Sequence, residues 1–426
     1  MTRHFGDDRD WFGEARFGLF VHWGIYAIPG WHEQTQYRRG LTREEYEPLA
    51  TQFNPVKFCP DEWLDLAESA GMRYITFTTK HIDGFCMWDS GLTEYKVTNT
   101  PYARDTLAML ADACHRRSFP LCLYHSFVDH HHPNYPNQGR AHELPGPPAG
   151  DEPDVGKYAD YVRAQVRELC TNYGEIHGIW WDANRLEVED PSLNEMVRSL
   201  QPQAVINCRG LSEGDFDVFE RDYRGEANEI LAFDGPTEAC QAVGKQSWGY
   251  REDEDYYTDH YLIHSIDRMM AKGANYLLNL GPMPDGTIVP EEQRILRRIG
   301  EWYGAVREAF DGTEPVVRWT DNRDVLTTRC GNTVYVHVLD PTGHDVVLHP
   351  ICRSPARTTL LNDGRPLETR LDSLPVYHRD EGPCLRIRNA PVDEFAGEVM
   401  VIKLEFPEDV SRAGEGQIGD LPATAR

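Results

Sequence analysis

The sequence predicts an α/β protein, a (β/α)8-type barrel followed by a small antiparallel β-sandwich. Short apolar runs alternate with amphipathic helical segments over about 310 residues, as expected for a parallel sheet covered on both faces. Histidines, aromatics and carboxylates collect where those runs stop, the place where barrel enzymes carry their chemistry. Beyond Gly312-Thr-Glu-Pro315 the helical stripes cease, and short alternating runs separated by turns take over. The expected boundaries are 1–314 for the barrel, 315–406 for the sandwich and 407–426 for a polar tail expected to be disordered.

Residues 17–22, 73–79, 120–124, 176–182, 204–208 and 275–280 read as buried strands, with a weaker stretch at 216–219. Tyr158, Tyr161, Val162, Val166, Leu169, Cys170 and Tyr173 recur at three and four, a helix ending at Gly174. Pro60-Asp61 opens a second helix through Trp63, Leu64 and Leu66. Ile295, Leu296, Ile299, Trp302, Tyr303 and Val306 mark a third. The sandwich runs fall at 316–319, 325–328, 333–338, 345–348, 385–387 and 399–404, with a turn at Asn362-Asp-Gly-Arg. Residues 142–154, rich in Pro, Gly and acid, read as a mobile loop between a strand and a helix.

Among 426 residues, 43 Lys+Arg against 69 Asp+Glu leave a net charge of −26. That balance argues against a nucleic-acid or anionic-membrane partner, because phosphate contacts need clustered cations. It also disfavours a highly sulfated polysaccharide. No apolar stretch approaches the roughly 20 residues of a membrane span. The opening Met1-Thr-Arg-His-Phe-Gly-Asp-Asp has no apolar signal core, so a cytoplasmic location is expected, barring a leader already removed. Ten singly spaced cysteines fit reduced, buried thiols rather than a disulfide or zinc framework. Whether the chain forms a homo-oligomer is left open.

Four successive strand ends carry His22-Trp23-Gly24, Lys80-His81-Ile82-Asp83, Tyr124-His125-Ser126 and Trp180-Trp181-Asp182. Aromatic planes beside imidazoles and carboxylates suit a sugar, which has apolar C–H faces and a belt of hydroxyls. No GxGxxG or GxxxxGK[ST] occurs, which sets aside dinucleotide and P-loop chemistry. Asp182 ends an apolar run, so its carboxylate is expected to be partly desolvated; the bland reading is an N-cap or a partner for Arg185. Glycoside hydrolysis needs a second acid, about 5–5.5 Å away in the retaining mechanism. Asp215, Asp217, Glu220, Asp222, Glu226, Glu229 and Glu238 are candidates, and spacing does not choose among them.

Two rivals are weaker. Asp129-His-His-His132 could hold a metal, but consecutive side chains do not converge on one centre, and no His-x-His stands on the first strand, so no metal or other cofactor is expected. Gly210-Leu-Ser-Glu-Gly214 matches a nucleophile elbow, yet no helical stripe follows it.

The motifs Ala15-Arg-Phe-Gly-Leu-Phe-Val-His-Trp-Gly24, Thr79-Lys-His-Ile-Asp-Gly-Phe85, Tyr95-x-Val-x-Asn-Thr100 and Asn172-Tyr-Gly-x-Ile-x-Gly-Ile-Trp-x-Asp182 resemble those of the α-L-fucosidases of glycoside hydrolase family 29. So do Ser247-Trp-Gly-Tyr250 and Leu278-Asn-Leu-Gly-Pro-x-Pro-Asp-Gly-Thr287, in matching order over residues 11–313. The resemblance implies a retaining, metal-free exo-glycosidase releasing terminal α-L-fucose from a small or oligosaccharide glycoside. It puts Asp182 on the nucleophile and Glu220 on the acid/base. It puts His22, Glu33, His81, Trp180 and Arg209 on positions similar to sugar-contacting ones; Trp23, Tyr124 and His125 join them as strand-end candidates. Three departures stand out: Glu33-Gln34 for Glu-Trp, His81-Ile82 for His-His, and Tyr124-His125-Ser126 for Tyr-Tyr-Ser. An Ile82 facing a hydroxyl would leave it unpaired at about 1–3 kcal/mol and redirect specificity to another 6-deoxy or galactose-configured sugar. An Ile82 in the core would change little. Trp31 or Trp23 is the candidate replacement for the missing aromatic wall. A carbohydrate-binding protein with a decayed catalytic centre is the alternative from another class.

Overall fold

A computed structural model describes residues 4–182, 186–221, 230–317, 319–320, 322–349, 351, 353–375 and 383–408. Arg185, Asp222, Glu226, Glu229, Cys352 and the tail beyond 408 lie outside the described residues. Contacts divide the chain into two units, Met1–Asp222 with Gly235–Tyr257 and Asn275–Arg298, and Tyr223–Asp234 with Thr258–Ala274 and Ile299–Arg426.

The first unit holds eight parallel strands: β1 (Phe17–Val21), β2 (Ile75–Lys80), β3 (Leu121–Ser126), β4 (Gly178–Asp182), β5 (Val205–Ile206), β6 (Asp217–Glu220), β7 (Thr237–Ala242) and β8 (Asn275–Leu280). They hydrogen-bond in the order β5-β4-β3-β2-β1-β8-β7-β6. The two edges meet where Asn207 bridges Phe216 in parallel and the Cys208 N–H donates to the Phe216 carbonyl at 2.9 Å. The sheet therefore closes into a barrel. Closure brings Gly214 against Asn207, where an added Cβ would lie 2.3 Å from backbone, so no side chain fits there.

β7 is the strand missing from the sequence expectation. Three of its six residues are polar (Thr237, Glu238, Gln241), so no apolar run announces it, yet all six are buried. Helices α1 (Pro60–Ser69), α2 (Thr106–Arg117), α3 (Val155–Asn172) and α4 (Pro191–Leu200) separate the first five strands in turn. Proline in the first turn starts α1 and α4; Asp105 and Asp154 cap α2 and α3 by accepting from the Ala108 and Lys157 N–H groups. α5 (Asp259–Ala271) precedes β8 and α6 (Pro290–Val306) follows it; α2, α4 and α5 add to the three expected helices. The barrel interior is packed by Phe12, Phe20, Tyr74, Tyr124, Trp180 and Phe216.

In the second unit, β9 (Glu314–Val316), β10 (Val325–Cys330), β11 (Thr333–Val338), β12 (Val346–Leu348), β13 (Arg357–Leu360), β14 (Glu368–Asp372), β15 (Cys384–Arg388) and β16 (Met400–Glu405) form two antiparallel sheets. Their orders are β13-β16-β11-β10-β9 and β12-β15-β14. Val334, Val336, Leu348, Leu385, Ile387 and Ile402 fill the core. β13 and β14 were not expected, since Arg357-Thr-Thr-Leu and Glu368-Thr-Arg-Leu-Asp carry one large apolar residue each.

The 142–154 segment is anchored rather than loose. Asp151 accepts two hydrogen bonds from Arg43 at 2.6 and 2.7 Å, and buried Glu143 accepts from Tyr135 and Arg140. The nine described cysteines are free thiols and six are buried; Cys208, expected inside, is exposed because the barrel has closed one residue before it. Among the described residues no helix is long and apolar enough to cross a membrane.

Candidate active site

Side chains alternate along a strand, so the inward residues near the carboxyl ends are Phe20 and His22, Tyr124, and Trp180 with Asp182. They line a cavity of about 530 Å³, joined by Glu33, His81, Arg209, Glu220 and Trp248. That size matches a small-molecule site.

Arg209, just beyond β5, organises the acids. Its Nη1 donates to Asp182 Oδ1 and its Nη2 to Glu220 Oε2, both at 2.8 Å. The Tyr124 hydroxyl donates to the other Asp182 oxygen at 2.7 Å. Burial works against the Arg209 charge, but Asp182 and Glu220 outweigh it and hold its pKa above the ordinary guanidinium value. The guanidinium also lies 5.0 Å from the Trp180 ring centre. One cation thus joins carboxylates from two separate strands at the same cavity.

The opposite side is built from imidazoles and Glu33. His22 Nδ1 lies 2.6 Å from Asn279 Oδ1 and so carries the proton there, leaving Nε2 as an acceptor. His81, stacked on Tyr124 at 5.7 Å, has a buried Nδ1 without a partner. Burial lowers the pKa of both, His81 to about 3 with His22 adding to the effect, so both are neutral at neutral pH. Burial pushes the Glu33 carboxyl up, yet in acid, where they carry charge, the adjacent His32, His81 and His22, with the Ser247 hydroxyl, bring it to about 2. Its Oε2 accepts from Ser247 Oγ and the N–H groups of Trp248 and Gly249, while Oε1 is buried and unpartnered.

Two expected site residues sit elsewhere. Trp23 is fully buried among Phe53, Phe58 and Trp63 and donates to the Met283 carbonyl. His125 follows inward Tyr124 and so points out of the barrel, with Nδ1 3.1 Å from Thr79 Oγ1 and its ring beside Trp88 and Trp181. Ile82 is buried off the cavity, whereas Gln34 lines it. Trp31 lies under the Arg39 guanidinium and is not part of the lining. The aromatic wall is instead Trp248, tilted over His22 at 5.4 Å, inside the Ser247-Trp-Gly-Tyr250 motif that the sequence displayed without a role.

Of the other candidate acids, Asp215, Asp217 and Glu238 are among the described residues. Asp215 pairs with Arg9 and Arg198, Asp217 is exposed on β6, and Glu238 lies behind the cavity wall, accepting from Tyr74 at 2.5 Å and from Trp180 Nε1 at 2.8 Å. The 129–132 cluster diverges: Asp129 pairs with Lys80, His130 with Gln36, His131 with Glu47, and His132 packs on Tyr161.

A parallel barrel whose strand-end cavity joins two carboxylates beneath aromatic walls defines a glycoside hydrolase. The Alpha-L-fucosidase family model matches residues 6–308. Alpha-L-fucosidase isoenzyme 1 from Paenibacillus thiaminolyticus is similar at 31% identity and a TM-score of 0.83, over 94% of this chain and 99% of that one. The alpha-L-fucosidase from Bacteroides thetaiotaomicron, seen as a trapped covalent intermediate in complex with 2-fluoro-fucosyl fluoride, is similar at 25% identity and a TM-score of 0.79, over 94% and 97%. Human tissue alpha-L-fucosidase is 29% identical over 386 residues, 82% of this chain and 80% of that protein. The chain belongs to the alpha-L-fucosidase family.

Proposed function

We propose that the chain hydrolyses terminal α-L-fucosides by double displacement, with Asp182 as nucleophile and Glu220 as acid/base. The observation that carries this is Arg209, which holds both carboxylates at one cavity. Asp182 keeps both oxygens hydrogen-bonded to donors, which favours the ionised form a nucleophile needs. It attacks the anomeric carbon as Glu220 gives its proton to the departing oxygen. Glu220 then takes a proton from water, which cleaves the glycosyl ester and regenerates Asp182. His22 Nε2, His81 Nδ1 and Glu33 Oε1 are the open groups for sugar hydroxyls, and Trp180 and Trp248 supply apolar faces.

Two of the three departures, Ile82 and His125, lie off the cavity, and Trp248 lines it where an aromatic face is needed, which supports fucose as the sugar. Gln34 still lines the cavity and favours a panel of 6-deoxy and galactose-configured aryl glycosides as a control.

The test is azide rescue on an activated aryl α-L-fucoside. Glu220→Ala should recover turnover with azide and give the α-fucosyl azide; Asp182→Ala should lose turnover and give, on rescue, the β-azide. Wild-type turnover in either variant, or exchanged product configurations, overturns the assignment. Fucose binding with no hydrolysis of any fucoside by the wild type would return the chain to a binding role.

A further inference from the structure

We propose that the second unit carries a binding site for one divalent transition ion of the zinc type, made by His260, His264 and Asp340. His260 and His264 are one turn apart near the start of α5, on the same face, with ring centres 4.3 Å apart. Asp340 lies two residues past β11, with Oδ1 4.0 Å from His264 Nε2. One ligand atom from each residue lies within 4.8 Å of the others.

Hydrogen bonding does not account for this grouping. His260 Nδ1 and His264 Nε2 are both buried and have no hydrogen-bond partner. Buried ring nitrogens usually find one, and here two imidazoles share a corner without bonding. The neighbouring charges are committed: Asp267 Oδ2 holds His337 Nδ1 at 2.9 Å, and Arg268 faces Asp324 at 3.7 Å. Two imidazoles and one carboxylate match the donor preference of zinc and its neighbours, whereas calcium and magnesium require oxygen shells. Metal–ligand bonds of about 2.0–2.2 Å require the three atoms to draw in by about an ångström. The Asp340 side chain, 60% exposed, can make that movement while His264, 12% exposed, stays packed. Solvent reaches the carboxylate side, so water completes the tetrahedron. The ion would fasten α5 to the chain leaving β11, and none of its ligands lines the sugar cavity.

Titration calorimetry of the full chain with zinc chloride, after chelator treatment, tests the proposal, with thermal unfolding in zinc or chelator alongside. The expected result is one ion per chain with micromolar affinity and a higher unfolding temperature. His260→Gln, His264→Gln and Asp340→Asn should each weaken binding by about tenfold or more and shrink the thermal shift, with fucoside turnover unchanged. Absence of saturable binding in the wild type, or equal zinc affinity in the wild type and the His260→Gln/His264→Gln double variant, overturns it. Should the glutamine variants fail to fold, Asp340→Asn, at an exposed carboxylate, still decides: undiminished affinity there removes the site.

Discussion

Replacing Arg209 with Gln isolates the effect of its charge on the two acids. Two unit charges 4 Å apart interact by about 4 kcal/mol at an effective dielectric near 20. Here both contacts are 2.8 Å, but the Arg209, Asp182 and Glu220 side chains are 28%, 26% and 37% exposed, so solvent screens part of this. For Asp182 about 1.5–3 kcal/mol remains, or about 1–2 pH units. A lost cation makes this carboxylate easier to protonate. The acid limb of kcat/KM, where the proposed nucleophile must be ionised, should therefore move up by about 1–2 units. At the optimum kcat/KM should fall by about 100-fold from the lost charge-assisted hydrogen bonds. Arg209→Lys keeps the charge and loses the fork, so its acid limb should move less while its rate still falls. The assay is the pH profile of kcat/KM on a neutral aryl α-L-fucoside. A Gln variant whose acid limb stays at its wild-type position refutes the idea that Arg209 sets the ionisation of Asp182.

Glu238→Leu leaves the buried Trp180 N–H unpaired, a cost of about 1–3 kcal/mol, and frees the indole; KM for fucosides should rise by about tenfold with kcat changed less, whereas a purely structural role would lower stability and leave that split unmoved. Glu292 bears on stability instead. Its Oε1 accepts from the Gly281 N–H, its Oε2 is buried and unpartnered, and burial pushes its pKa up to about 8. Its folded pKa exceeds the unfolded value of about 4.3, so the folded state holds the proton longer and stability falls as pH rises from about 4.3 to 8, by up to about 1.4 kcal/mol per unit. Glu292→Gln should remove that part of the slope, read as the difference in urea midpoint between variant and wild type from pH 5 to 8; parallel slopes would contradict it.

The legible parts of the fold were those where hydrophobic pattern and environment agree. β1, β3, β4 and β8 are apolar on both faces because they lie between a packed interior and covering helices. β7 escaped because its interior face is polar: Glu238 is tolerated there only through the Tyr74 hydroxyl and the Trp180 indole, which come from β2's approach and from β4 and are far away in sequence. β13 is legible only as a partner of β16, since Arg357-Thr-Thr-Leu has little pattern of its own. Glu220 shows the same limit in the site. Apart from the family resemblance, nothing in the spacing of the seven candidate acids selects it; among the described ones, Glu220 is the one that Arg209 ties to Asp182, once β6 is set beside β7. Trp248 was visible as a motif residue, but its role depends on Asn279, whose amide donates to the Trp248 carbonyl at 2.7 Å while its oxygen orients His22.

Strand parity explains why some strand-end residues reach the cavity and others do not. Asp182 and Trp180 share a face of β4, and Trp180 is the register partner of Tyr124 on β3, so Tyr124 must face inward with them. His125 and Trp181 are likewise paired and must face outward, where they pack edge to face at 6.1 Å. On β1, Phe20 and His22 are inward, which sends Trp23 to the apolar layer outside. Beyond β2 the chain turns, with His81 on the cavity lining and Ile82 buried off it. A tyrosine at 125 would therefore meet the packing behind the sheet. Gln34 is different because no strand constrains it: it lies on the loop that brings Glu33 to Ser247, and its side chain reaches the cavity directly. Of the three departures, Gln34 is the one on the cavity lining, so exchanging Gln34 for Trp is the substitution with which to probe sugar and aglycone preference.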